Sequence, residues 1–183
     1  RNLQIIGTMN TADRSITLLD SALRRRFQFE EITPDPEVLD GIEFEGVQVK
    51  LILDKINKRT AYFLGKDQCI GHSYFLEIRN STNPKKDLLG IFVNKIIPLL
   101  EEYFYNDVNK IRLVLGDSNK TEDLRFYKID EDSELSSLFG VIDNDVDIDE
   151  EVVSYVKNKE LLSLSITGDE SDIYADTFKK MYE

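Results

Sequence analysis

Between Val47 and Gly116 the apolar residues recur with a period that only helices satisfy, and this constrains the fold more than any other feature. Val49, Ile52, Leu53, Ile56, Thr60, Phe63 and Leu64 follow the i, i+3, i+4, i+7 template. Gly65 stands where a helix C-terminus favours a residue without a Cβ. A second stretch places Leu88, Leu89, Phe92, Val93, Ile96, Ile97, Leu100 and Phe104 on one broad face. Pro98 falls inside it; with no N–H and a ring that presses on the carbonyl four residues back, it predicts a kink or a break. A short helix over Val108–Leu115 follows and is stopped by Gly116. Residues 41–117 are therefore predicted to form a small helical bundle.

The flanks read differently. Residues 3–9 (LQIIGTM) have the composition of a buried strand. The stretch Thr11–Ser15 is turn chemistry, with Asp13 or Ser15 available as an N-cap. Leu18, Leu19, Ala22 and Leu23 predict a short helix, and Phe27, Phe29 and Ile32 a second strand ended by Pro34 and Pro36. Strand, helix and strand make half of an α/β module, so residues 1–40 are expected to be the C-terminal portion of a larger α/β core. Beyond residue 117, Leu124–Ile129 predicts a strand, and Glu150–Leu162 and Asp172–Met181 predict helices. Asp143, Asp145, Asp147 and Asp149 alternate, but the glycine and closing glutamate of a calcium loop are absent from that run. The expected class is thus an α/β fragment, mostly α: part of a core (1–40), a helical bundle (41–117) and an acidic α+β extension (118–183).

Charge separates these parts. The net charge of −12 is carried almost entirely by residues 118–183, which hold 18 acids against 7 bases. That block repels nucleic acid at long range, leaving a solvated surface or a dock for a basic partner. No apolar run is long enough to span a bilayer, and the single Cys69 forms no internal disulfide, which fits a reducing cytoplasm.

The opening stretch carries chemistry. Hydrolysis of a β–γ phosphate bond needs a polar group to hold the attacking water and positive charge to meet the charge that develops on the phosphoryl oxygens. Asn10 follows the first predicted strand, where ligand crevices of open α/β sheets lie. Arg24, Arg25 and Arg26 follow one helix later; a guanidinium fork reaches two oxygens and keeps its charge. Consecutive helical residues are about 100° apart, so at most two of the three serve one site. Taken singly, Asn10 is also consistent with a turn, and the arginines with a solvated patch.

Order and spacing point further. Met9-Asn10-Thr11-Ala12-Asp13, followed by Leu19-Asp20-Ser21-Ala22-Leu23-Arg24-Arg25-Arg26-Phe27, resembles the McrB family of AAA+ nucleotide hydrolases from methylcytosine-specific restriction systems. Ile70-Gly71-His72-Ser73-Tyr74-Phe75 and Ile96-Ile97-Pro98-Leu99-Leu100 resemble the helical lid of that family. The resemblance implies that Asn10 is the water-positioning sensor, and that Asp13 belongs to a segment used in hydrolysis and in contact with the nuclease subunit McrC. It implies that Arg25 and Arg26 are fingers reaching the next subunit's nucleotide. His72 and Ser73 lie where such lids approach the nucleotide, usually through an arginine; a packed or capping role for His72 is the alternative. The implied cofactors are GTP, with ATP open, and Mg2+. The implied partners are McrC, a homo-oligomeric ring (a hexamer in the family) and DNA. No GxxxxGK[ST] loop and no acidic magnesium strand occur in this sequence; in the family both precede the Asn10 segment, as does the DNA-binding domain. The chain by itself is accordingly expected to be inactive. A non-catalytic scaffold derived from the same module, or a MoxR-like chaperone ATPase, are the rival readings.

Overall fold

Helix α1 (Val49–Leu64) is the spine of the molecule, because Val49, Ile52, Leu53, Ile56 and Thr60 give it one fully buried face. The computed structural model describes residues 2–9, 25–129, 155–166, 168 and 173–183. A hairpin leads into α1: β1 (Glu43–Phe44) pairs antiparallel with β2 (Val47–Gln48). Its two turn residues, Glu45 and Gly46, both have positive φ (46° and 77°), the conformation that lets so tight a loop match strand twist. At the other end Gly65 (φ 95°) donates its N–H to Ala61 O and closes the helix, as its position in the sequence predicts.

The long second stretch is divided as Pro98 requires. Helix α2 (Pro84–Ile91) continues into a π-helical turn (Phe92–Ile96) and then α3 (Ile97–Tyr103). The Ile97 N–H reaches back five residues to Phe92 O, so the break is absorbed by one widened turn immediately before the proline. Helix α4 (Val108–Leu115) starts where the Asp107 side chain accepts from Lys110 N–H. It ends at Gly116 (φ 70°), where a Cβ would lie 2.9 Å from Arg59 Nη1 and 3.2 Å from Met181 Cα.

The described part of the acidic extension is built into the same core. Strand β3 (Tyr127–Ile129) pairs antiparallel with β4 (Tyr155–Lys157), followed by α5 (Lys159–Ile166), which packs on α2, and by the short α6 (Asp176–Lys179). The Phe92 ring is the meeting point: it stacks on Phe126 with centroids 5.2 Å apart and packs against Phe178 at 5.8 Å and Phe75 at 6.2 Å. A buried ion pair fixes the join. Asp117 and Lys120 are both inaccessible to solvent, with Lys120 Nζ 2.9 Å from Asp117 Oδ1. The same carboxylate accepts the backbone N–H groups of Phe126 (3.2 Å) and Tyr127 (3.0 Å). Burial lowers the proton affinity of Lys120 despite the attraction of Asp117. Farther along, Glu101 on α3 accepts from Tyr127 Oη (2.7 Å) and Lys157 Nζ (2.9 Å), tying α3 to both strands.

The expected strands of the opening segment are not present. Residues 2–9 and 28–35 carry no ladder, and Leu3 and Ile6 are 82% and 92% exposed. A strand exists by its cross-strand hydrogen bonds, and neither segment belongs to a sheet among the described residues. The helix predicted between them lies outside the described residues. The expected helix over Glu150–Leu162 is also corrected: Tyr155–Lys157 is strand, and the helix starts only at Lys159, because Asn158 Oδ1 caps Glu160 N–H at 3.1 Å. The aspartate run at 143–149 is not among the described residues. Asp172–Met181 shrinks to the single turn of α6. The described residues are therefore mostly helical, with two small two-stranded sheets.

Candidate functional site

The loop after α1 forms one wall of a cleft. Asn57 on α1 holds the following loop at both edges of one residue: its Oδ1 accepts Ile70 N–H (2.7 Å) and its Nδ2 donates to Ile70 O (2.8 Å). This pinning sets Lys66, Asp67, Cys69 and Gly71 along one wall. From Gly71 the chain enters a nine-residue 3-10 helix, His72–Asn80, anchored in the core by Phe75 and Ile78. The facing wall consists of Met9 and residues 31–34, and the open space between the walls is about 290 Å³.

Two hydrogen bonds join the 3-10 helix to the segment that follows the facing wall. His72 Nδ1 accepts the Asp35 backbone N–H at 3.1 Å, which places the proton of the neutral imidazole on Nε2. At the far end of the same 3-10 helix, Arg79 Nη2 donates to Val38 O at 2.7 Å. Asp35 in turn caps the short helix Pro36–Leu39 through its own carboxylate, which accepts Glu37 N–H at 2.9 Å, and Leu39 is buried. The segment between the opening stretch and the bundle is thus held at its start and in its middle by one helix.

Of the residues singled out in the sequence, His72 and Ser73 line the cleft. Met9, which also lines it, brings the backbone next to Asn10 to the mouth of the bundle. Asn10 and Asp13 themselves lie outside the described residues. Arg25 and Arg26 are exposed in a turn and do not line the cleft. The charge within the cleft is mixed: Lys66 is opposed by Glu31 and Asp67, so the described residues give no concentrated positive field. Burial raises the pKa of the Cys69 thiol, making it a poor nucleophile. No group of three or more His, Cys, Asp and Glu side chains suited to a metal ion occurs among the described residues. Sequence reasoning missed Asp35, Asn57 and Arg79; the Pro34-Asp35-Pro36 run and an asparagine on the otherwise apolar side of α1 were the available signals.

The bundle has a known counterpart. A family model described as "McrB, alpha-helical lid domain" matches residues 48–112, from the end of β2 into α4. Residues 48–112 are therefore similar to the McrB lid. The chain is 40% identical over 135 residues to the "Type IV methyl-directed restriction enzyme EcoKMcrB subunit" of Escherichia coli strain K12, covering 64% of this chain and 29% of that protein. The chain therefore spans less than a third of the length of the relative it matches. Among the described residues, no helix is long and apolar enough to cross a membrane. The McrB lid, as delimited by the match, includes the whole pinned loop, His72, Ser73 and Arg79.

Proposed function

We propose that this chain is the sensor and lid portion of an McrB-like AAA+ subunit. The full-length subunit hydrolyses GTP, with ATP open, and works with an McrC-like nuclease in a modification-dependent DNA restriction system. The observation that carries the reading is the McrB lid closing a cleft whose opposite wall ends at Met9, one residue before Asn10. A side-chain amide next to a lid is a group that can hold an attacking water. In this reading Asn10 orients that water and Asp13 supports the same segment. Arg25 and Arg26 serve the neighbouring subunit of a ring, in keeping with their exposure and their distance in sequence from the lid. The described residues fit a nucleotide only as a rim: the Lys66 ammonium and Ser73 hydroxyl offer donors, while Glu31 and Asp67 oppose an anion. Bound Mg2+ and the triphosphate would supply the electrophilic phosphoryl group, with the magnesium ligands outside the described residues. The mixed charge of the cleft favours one alternative, a non-catalytic interaction scaffold that keeps the lid and has lost turnover.

Mixing two inactive full-length proteins separates these readings. Arg26→Ala should lower turnover by roughly 10³-fold, the scale of a transition-state arginine. Mixed with a variant lacking its phosphate-loop lysine, it should regain partial activity, because some interfaces pair an intact loop with an intact Arg26. Arg24→Ala is the control and should not complement. Mixed rings that form but stay inactive at every ratio would return the arginines to the solvated-patch reading.

A further inference from the structure

The two hydrogen bonds between the 3-10 helix and residues 35–38 assign His72 a job other than touching a ligand. The 3-10 helix that carries it is long for its type, since such helices seldom exceed four residues. At about 2.0 Å rise per residue, the His72 and Arg79 backbones stand on the order of 14 Å apart along that helix, and their side chains grip the junction segment at Asp35 and Val38, three residues apart in sequence. Asp35, gripped by His72, lies one residue beyond Pro34 of the opposite wall, so its position sets the height of Thr33 and Pro34 over the cleft. The prolines on both sides of Asp35 fix φ at their own positions and restrict the residue before each, so little slack remains in the segment.

We infer that His72 is a positioning residue: through Nδ1 it holds the Asp35 amide and thereby sets the angle between the lid and the opening segment. Its role is that of a fixed acceptor, and Nε2 is not required. The chemistry gives a clean test, because side-chain amides mimic the two ring nitrogens separately. The Asn Oδ1 sits one bond beyond Cγ, as Nδ1 does, whereas the Gln Oε1 reaches one bond farther, toward the place of Nε2. His72→Asn therefore keeps the acceptor that Asp35 uses, and His72→Gln keeps only an atom suited to a ligand contact.

The experiment uses the full-length protein with His72→Asn, His72→Gln and His72→Ala, each checked for folding by its thermal transition. Hydrogen exchange at the Asp35 amide is read first, since it does not depend on any enzymatic activity. Protection should persist in the Asn variant and fall at least tenfold in the Gln and Ala variants. GTP turnover is read second, and this part rests on the proposed function. The Asn variant should stay within about threefold of the unmodified protein, while Gln and Ala lose tenfold or more in kcat with KM little changed, as misplacement by about an ångström does. Turnover kept by Gln and lost by Asn would assign His72 to nucleotide contact and overturn the inference. Equal behaviour of all three variants would overturn it as well. Should the unmodified protein not hydrolyse GTP, the exchange ranking still decides the role of His72, and only the enzymatic reading fails. If the His72 variants do not fold, Arg79→Ala loosens the same junction from its other grip. A lower kcat at unchanged KM supports the inference, and unchanged turnover overturns it.

Discussion

Asp117→Ala should be among the most costly single substitutions in this chain, and the structure gives the size. The side chains of Asp117 and Lys120 are wholly removed from solvent, and one carboxylate satisfies the Lys120 ammonium and the N–H groups of Phe126 and Tyr127. Alanine leaves the ammonium with only the Phe126 ring, 4.2 Å away, for compensation. Removing one partner of a buried pair costs about 3–5 kcal/mol. Each orphaned N–H adds about 1–3 kcal/mol in isolation. These losses share one carboxylate and do not sum, so about 4–5 kcal/mol is expected. Urea unfolding of the 183-residue chain followed by circular dichroism measures it. With a slope of about 2 kcal/mol per molar, the midpoint falls by roughly 2 M. The Lys120 amine already has a lowered pKa from burial, so the native state binds fewer protons there than the unfolded chain does. The variant should therefore regain stability as pH rises. Lys120→Met should cost less than Asp117→Ala, because its carboxylate keeps both backbone donors. A midpoint shift below about 0.5 M for Asp117→Ala would refute the buried clamp.

The other tests are shorter. Tyr127→Phe removes the bond to Glu101 and should cost about 1.5 kcal/mol by urea titration. Burial, then Glu101, raises the Tyr127 pKa above its usual 10.0, so the hydroxyl's contribution is present below pH 10 and is lost as pH rises further. The Phe variant should show a flatter alkaline decline in the same titration. Gly116→Ala places a Cβ 2.9 Å from Arg59 Nη1, which must release Val114 O, and forces alanine into the left-handed region; a loss of roughly 2–3 kcal/mol should appear in thermal unfolding. In the full-length protein Asn10→Ala should lower kcat with KM within a few-fold, because a water-positioning amide acts in the transition state. A rise in KM alone would make Asn10 a binding residue.

Legibility in the sequence followed the range of the forces involved. Helix α1 was readable because one uninterrupted apolar face and one terminal glycine decide it locally. Pro98 announced a break, but its form, a π turn, depends on a shift of one residue in hydrogen-bond register that no periodicity reveals. Tyr155–Lys157 was misread as helix because its pairing partner lies at 127–129, far along the chain, and only the partner makes it a strand. The same distance hid the junction. His72 could be singled out by its neighbours Gly71 and Ser73, yet its partner is a backbone N–H 37 residues earlier, a group every residue but proline carries. The negative charge of the extension suggested a surface apart from the bundle. Its apolar residues, Phe126, Tyr127, Leu161 and Phe178, proved to be spaced too sparsely for a periodic signal while still entering the core.

The placing of Phe92 bears on how McrB lids can be exchanged. Its ring is enclosed by Phe75 from within residues 48–112 and by Phe126 and Phe178 from beyond them. A chimera cut at residue 112 would carry the helices of the lid but strip two of the three rings that shelter its centre. Aromatic side chains bury about 150–250 Å² each, so the graft would present a sticky surface and be drawn into aggregates. In this protein the transplantable unit is the lid together with its C-terminal extension and the segment it grips, and a recombination site that preserves packing belongs before Asp35, not after α4.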